Sequence, residues 1–405
     1  MQKISIANLQ PGMIVAKNIY DADANLLLSK DIVLTERYIE RLKTMSLAAI
    51  YIATKDPHNN IIYPEDILRE QTRLKAIKSI SNTFQKCLCK KKLDVDAVSE
   101  VTQGIIDEIM QSRSRMIQLT NIMSFDEYTF SHSVNVCAIA TLLGVISDYS
   151  PKRLTELALG AILHDIGKIK IPLSILNKKD RLTDEEMQVM KKHSEYGFDL
   201  LRATSHLSVV PMHVAFQHHE NFNGTGYPRG LKQARIHEYA RIVAIADVYD
   251  AITTDRPYQK ARTPHQAYEI MLADSGNKFD TSLLEVFFEN LAIFPVGSFV
   301  LLNNNFYAMV IEIPEGLSFT PIIKVIAKPN KTFLKEDLYI DLKEYASIYI
   351  TRNLTEEETL SLLYYDMTFN TEKAVKKGYK SLKSFDEIIE DNMKSWDGEK
   401  NLWKI

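Results

Sequence analysis

The sequence predicts a mainly α protein: a helical bundle that carries the chemistry, a small N-terminal α/β module and a small C-terminal antiparallel β-barrel-like module. Three observations lead there. Nine of the ten histidines fall between residues 114 and 290, where apolar residues recur at helical spacing. Short β-type runs separated by polar turns occupy both flanks of that stretch. With 405 residues, 45% hydrophobic and 25% charged, the chain has a globular composition and is too long for one core.

Residues 1–55 form the first module. Ile4 to Val15 and Ile19 to Leu28 read as strands, broken by Pro11-Gly12 and by Asp21-Ala22-Asp23-Ala24-Asn25; Thr35 to Lys43 reads as a short helix and Ala48 to Ile52 as a closing strand. Nothing in it offers a catalytic set, so it is read as an accessory or regulatory unit. Residues 64–113 form a helical linker with an apolar stripe at Ile67, Leu74, Ile77, Ile80 and Phe84. That stripe suits docking on the next domain or pairing with a second subunit, and both alternatives stay open, as does a signalling-protein partner. Residues 114–290 are the helical domain. From 291 to 352, the runs Gly297–Leu302, Phe306–Ile313, Pro321–Ala327 and Leu338–Ile340 alternate with polar turns, the pattern of a small antiparallel barrel. In the segment 353–405, Thr355-x-x-Glu358 is a capping box that opens a short helix, and a charged tail follows.

Composition excludes several classes. A formal net charge of −3 leaves no basic footprint for polymeric nucleic acid. No run approaches the roughly 18 apolar residues that cross a bilayer, and Met1-Gln2-Lys3-Ile4-Ser5 opens no secretory core, so a cytoplasmic protein without a membrane span is expected. Cys87, Cys89 and Cys137 provide no Cys-x-x-Cys pair, so any metal must be held by nitrogen and oxygen.

The stretch Leu157 to Lys168 sets His164 and Asp165 side by side at the end of an apolar helical run. Gly167 is placed to stop that helix at a left-handed C-cap, leaving the Lys168 ammonium free just beyond it. His132 heads the stripe Val136, Ile139 and Leu143 and so faces a core. Thr183-Asp184-Glu185-Glu186 is a second capping box, opening a helix on which Met190, His193, Gly197 and Leu200 share a face. His218-His219-Glu220 end the apolar run from Val209; adjacent helical residues diverge by about 100°, so two neighbouring histidines serve one cluster most easily at a helix end. In the apolar run from Ala240, Asp247 has no local cation, and Asp250 one turn on competes for the same role.

Each group alone reads as a satisfied core residue, but five inward histidines and two inward carboxylates together would leave several uncompensated polar groups. A shared metal site satisfies them at once. Seven N/O donors exceed one four-coordinate site, so two ions are expected, with Asp165 the bridge because it stands beside a terminal ligand. Two ions lower the pKa of a bridging water and leave hydroxide in line with a bound phosphorus, which points to phosphate ester or diester hydrolysis. Lys168 and Arg256 are candidate clamps for phosphoryl oxygens. The Gly224-Thr225-Gly226 loop follows no strand and lacks the third glycine of a dinucleotide fold.

His132, His164-Asp165-Ile166-Gly167-Lys168, His193, His218-His219-Glu220, Asn223-Gly224-Thr225-Gly226-Tyr227-Pro228 and Asp247-Val248-Tyr249-Asp250-Ala251 resemble, in order and spacing, the HD-GYP subgroup of the HD phosphohydrolases. The resemblance covers about residues 120 to 262. It implies a helical HD-type bundle that hydrolyses the bacterial second messenger cyclic di-GMP to the linear dinucleotide pGpG or on to GMP. It implies His132, His164, Asp165, His193, His218, His219 and Asp247 as metal ligands, Asp247 being favoured over Asp250. It gives Asp165 and Lys168 the catalytic roles and puts Lys168, Tyr227 and Arg256 at the substrate. Iron or manganese is the implied metal. Members with a third metal carry a Glu one turn before the first ligand; Tyr128 stands there, so two ions are expected. Where some members have a basic residue three positions after the arginine, this chain has Gln259, followed by Lys260. The flanking segments resemble small modules that accompany this domain. The rival readings are a phosphodiesterase for another cyclic dinucleotide, a nucleotide phosphohydrolase, and a non-catalytic dinucleotide-binding scaffold.

Overall fold

The computed structural model describes residues 1–20, 26–45, 47–53, 66–90, 93–111, 128–178, 180–205, 207–255 and 260–369. They fall into two compact units, Met1–Gly297 with Pro314–Phe319, and Ser298–Ile313 with the chain from Thr320 onward.

The first unit begins with β1 (Gln2–Ser5), β2 (Ile19–Tyr20), β3 (Leu26–Leu28), α1 (Glu36–Lys43) and β4 (Ala49–Ile52). β1 pairs antiparallel with β4 and β2 with β3, giving two small sheets. Thr35 caps α1 by accepting from the Tyr38 amide, where the helix was expected to start. The strand-like stretch expected from Ile4 to Val15, broken at Pro11-Gly12, forms a strand only at its start: β1 ends at Ser5, a 3-10 turn follows at Ile6–Asn8, and Ile14 and Val15 make isolated bridges. The buried residues explain this: Ile4 and Ile6 are even-numbered, whereas Leu9, Met13 and Val15 are odd. A continuous strand would have turned one of those sets to solvent.

Two helices follow, α2 (Glu70–Lys90) and α3 (Val95–Gln111), and both pack against α4 (Tyr128–Ile146), α3 also against α5 (Pro151–Leu163). Ile77, Ile80 and Phe84 are buried in that packing, which decides the use of the stripe in favour of docking on the bundle. The bundle continues with α6 (Leu173–Leu176), α7 (Asp184–Lys191), α8 (His193–Arg202), α9 (Val209–Gln217), α10 (Glu238–Thr253), α11 (Pro264–Ala273) and α12 (Thr281–Glu289). α4 is its axis. Every residue from Ser131 to Val145 is buried, so α4 has no solvent face and its polar residues must find partners inside. α5 and α10 pack on it, α9 packs on both of these, and α8 lies on α9.

The second unit is an antiparallel sheet of β5 (Phe299–Leu302), β6 (Tyr307–Glu312), β7 (Ile322–Ala327), β8 (Phe333–Asp341) and β9 (Ile350–Asn353) in the order β8-β7-β6-β5-β9. The expected antiparallel pairing is there, but the barrel is not: among the described residues β8 and β9 are unpaired edges and the sheet stays open. β9 has four residues and returns to the free edge of β5, so no strand is left to bridge to β8. α13 (Glu356–Phe369) follows, and its capping box forms as expected, Thr355 and Glu358 exchanging bonds of 2.9 and 3.2 Å. No helix among the described residues is long and apolar enough to cross a membrane.

Candidate metal centre

α5 ends at Leu163, and His164 is its C-cap with helical backbone angles. Its Nδ1 lies 2.6 Å from the Ala161 carbonyl oxygen. A carbonyl only accepts, so Nδ1 carries the proton and Nε2 presents a lone pair. Asp165 then turns the chain into a 3-10 segment, Ile166–Lys170. Gly167 does not stop α5 and is not left-handed. It is glycine because α8 crosses there: a Cβ on it would stand 1.9 Å from the His193 carbonyl oxygen and 2.4 Å from the Gly197 nitrogen. The expected freedom of Lys168 is also corrected, because its ammonium is ion-paired with Asp165 Oδ2.

The capping box at Thr183 is formed, but the helix it opens breaks at Lys192 and His193 starts a new one. Leu201, not Leu200, completes the buried face. His193 repeats the pattern of His164, its Nδ1 donating to the Met190 carbonyl at 2.7 Å. His218 does so again as the C-cap of α9, with its Nδ1 3.0 Å from the Ala215 carbonyl. The helix end lets its neighbour His219 face the same cluster, the two ring centroids being 4.0 Å apart.

His132 enters from α4 with a different arrangement. Its Nδ1 bonds Asp250 Oδ2 at 2.7 Å on the outer side, and its Nε2 faces Asp247 Oδ1 at 3.1 Å on the inner side. The two acidic residues that compete in sequence therefore divide the work: Asp247 lines the cluster and Asp250 orients the ring.

The five histidines converge on Asp165. Its Oδ1 is 3.4 Å from His193 Nε2 and 3.8 Å from His218 Nε2, whereas its Oδ2 is 3.3 Å from His164 Nε2 and 3.9 Å from His132 Nε2. Asp165, His193, His218 and His219 form one set able to hold an ion, and His132, His164 and Asp165 form another. Asp165 is common to both.

Several features make this donor set fit cations. His193 Nε2 and His218 Nε2 face each other at 3.3 Å although both are lone pairs, and a positive charge between them removes the repulsion. His164 Nε2 and Asp165 Oδ1 are buried with no hydrogen-bond partner among the described residues. The protonation states also suit. Burial lowers His193 and His218 and brings His219 down to about 3, so these rings are neutral. Burial opposes charge on the carboxyls too, but Lys168 holds Asp165, and His132 holds Asp247, well below the usual carboxylate range. His132 differs, since burial is outweighed by its bonds to Asp247 and Asp250 and it rises to about 9.

The Gly-Tyr-Pro loop closes over this cluster. Glu220 is buried and its two oxygens accept from the Arg229 and Leu231 amides at 2.8 and 2.9 Å, fastening the loop from inside. A Cβ on Gly226 would stand 2.2 Å from the Asn221 nitrogen and 2.4 Å from the His219 carbonyl oxygen, so only glycine lets the loop return against its own start. Tyr227 is thereby set with its ring centroid 4.8 Å from that of His219. Arg256 and Gln259 lie outside the described residues, as does the side chain of Tyr128. Asp255, which precedes Arg256 in the chain, is ion-paired with Lys3 and accepts from the Ala261 amide at 2.8 Å. Asn135 and Arg73, which sequence reasoning passed over, lie behind Asp250. The signal for Asn135 was an amide three residues after His132 in a mostly apolar helix; Arg73 offered none.

A helical bundle whose centre is a buried His/Asp cluster of this kind defines a metal-dependent hydrolase. Residues 105–283 match the family described as HD domain, and residues 299–362 match the KOW domain associated with HD domain. A cyclic di-GMP phosphodiesterase of Pseudomonas aeruginosa is 31% identical over 317 residues, 75% of this chain and 76% of that protein. One of Thermotoga maritima is 34% identical over 209 residues, 51% of this chain and 56% of that protein. A 3'3'-cGAMP-specific phosphodiesterase of Vibrio cholerae is 41% identical over 129 residues, 32% of this chain and 25% of that protein. The chain belongs to the HD-GYP phosphodiesterases, a branch of the metal-dependent HD-domain hydrolases.

Proposed function

We propose that this protein is a bacterial, cytoplasmic cyclic di-GMP phosphodiesterase that uses two divalent ions, iron or manganese, and yields pGpG or GMP. The observation that carries the two-ion reading is Asp165, whose two oxygens face two different pairs of histidines. In this reading His132, His164 and Asp247 would hold one ion and His193, His218 and His219 the other, with Asp165 available to both. Bound there, the ions would supply Lewis acidity toward the phosphodiester and lower the pKa of the attacking water.

The chain's own groups do the rest. Lys168, held beside Asp165, donates to a phosphoryl oxygen as charge develops on it. Tyr227 contributes a neutral phenol, because burial and the charges of Asp165 and Asp247 push its ionisation far above neutrality. Arg256 is read as a second phosphate clamp, and Gln259, with Lys260 next to it, stands where some members of the family carry a basic residue. The domains in this reading are the accessory module 1–55, the helical segment 64–113, the catalytic domain 114–290, the β module 291–352 and the tail 353–405.

The test is turnover by metal-free protein reconstituted anaerobically with Fe(II) or Mn(II), offered cyclic di-GMP, 3'3'-cGAMP and cyclic di-AMP. Cyclic di-GMP is expected to be hydrolysed fastest. Faster turnover of 3'3'-cGAMP would move the assignment to another cyclic dinucleotide, and turnover of none would leave a binding scaffold.

A further inference from the structure

Arg73, on α2, is 1% exposed, and no other arginine among the described residues is buried. Its guanidinium forks between two acceptors. Nη2 donates to Asp66 Oδ1 at 2.7 Å and Nη1 donates to Asn135 Oδ1. Asp66 Oδ2 pairs at 3.2 Å with Lys17 of the N-terminal module. On the other side, Asn135 Nδ2 donates to Asp250 Oδ1 at 2.8 Å, and Asp250 Oδ2 accepts from His132 Nδ1 at 2.7 Å. A continuous polar line therefore runs Lys17, Asp66, Arg73, Asn135, Asp250, His132.

Each link fixes the next. Arginine only donates, so the Asn135 amide must turn its oxygen toward Arg73 and its NH2 toward Asp250. That occupies Asp250 Oδ1, which Thr254 Oγ1 also contacts at 3.2 Å, and leaves Oδ2 to His132 Nδ1. With Nδ1 engaged there, His132 turns Nε2 toward Asp165 and Asp247. A flipped Asn135 would set two acceptors against each other and loosen the ring at the head of this line.

We infer that Arg73 is a positioning residue for the metal centre: through Asn135 and Asp250 it sets the orientation of His132, and through Asp66 it ties that ligand to Lys17 of the N-terminal module. Residue 73 lies outside the matched HD domain, so the metal site is completed from beyond it. The simpler role for a buried arginine is to fasten α2 to α4 as one half of an ion pair with Asp66. The two roles differ in what a conservative change does. Arg73→Lys keeps the charge and much of the length but has no planar fork to reach both Asp66 and Asn135.

The inference rests on the metal reading of the His/Asp cluster, and its test is metal binding rather than turnover. Metal-free full-length protein is titrated anaerobically with Co(II), followed by the visible d–d bands, and its melting is recorded in chelator. Arg73→Lys is expected to bind Co(II) about tenfold more weakly, with altered bands, as outer-shell changes at metal sites do. A folded Arg73→Lys protein with wild-type affinity and bands overturns the inference and leaves the metal reading standing. Wild-type protein that takes no Co(II) overturns both. If Arg73→Lys does not fold, Asp66→Asn decides: an affinity loss of about threefold or more supports the line, and unchanged affinity overturns it.

Discussion

At the scale of single residues the centre depends on which atom of each side chain points where. Asp165 offers one oxygen to each histidine pair, so no neighbour can replace it. Asp165→Ala is expected to lose both metal retention and activity, read by metal analysis and turnover on the same preparation. Lys168→Ala should keep its metal and lose roughly a hundredfold in kcat, the scale of removing one donor to a developing anion. Unchanged turnover in either variant contradicts the assignment. The identity of the candidate ligands was legible as inward histidines and carboxylates on separate helices. Their atoms were not: Asp247 and Asp250 are one turn apart, and only packing against α4 puts them on opposite sides of the His132 ring.

At the scale of elements, local signals held where the partners are a few residues apart. Both expected capping boxes form, at Thr183 and at Thr355. At the second, Glu358 also takes a two-pronged pair from Arg352 at 2.7 and 2.8 Å, and that pair holds its carboxyl at about 2. A carboxyl whose folded pKa lies below its unfolded value stabilises the fold above the unfolded value of about 4.3, and that contribution fades as pH falls through the folded one. Glu358→Gln should therefore lower the melting temperature of the second unit at pH 6, and the difference from wild type should shrink between pH 4.5 and pH 2. A difference that grows toward acid would reverse the sign and refute the pairing. Local signals failed at Gly167, which reads as a helix stop and is instead the point where α8 crosses. Gly167→Ala should destabilise the first unit by about 1–3 kcal/mol, as overpacking does, seen in melting of the metal-free protein and accompanied by lower metal content.

At the scale of the whole molecule the candidate ligands all lie in the first of the two compact units. Metal should therefore stabilise that unit alone, by about 2.7 kcal/mol for each ion at a free concentration a hundred times its Kd. Calorimetry with and without Mn(II) checks this: the transition of the first unit moves up, and an equal shift in that of the second would contradict it. The same scale corrects the C-terminal module, whose runs of β-type residues pair as expected but whose edges do not meet.

What the sequence alone determined are features set by neighbours within about a turn: helical periodicity, the capping boxes, the hairpin runs, and the inward histidines and carboxylates with the motif spacing that names their family. What only the tertiary structure decided spans long separations. Arg73 meets Asn135 across 62 positions, Asn135 meets Asp250 across 115, and His132 meets Asp250 across 118. Contacts of that range leave no period in the chain, because they are set by how α2, α4 and α10 pack, and packing settles which acid faces the cluster and which holds the ring.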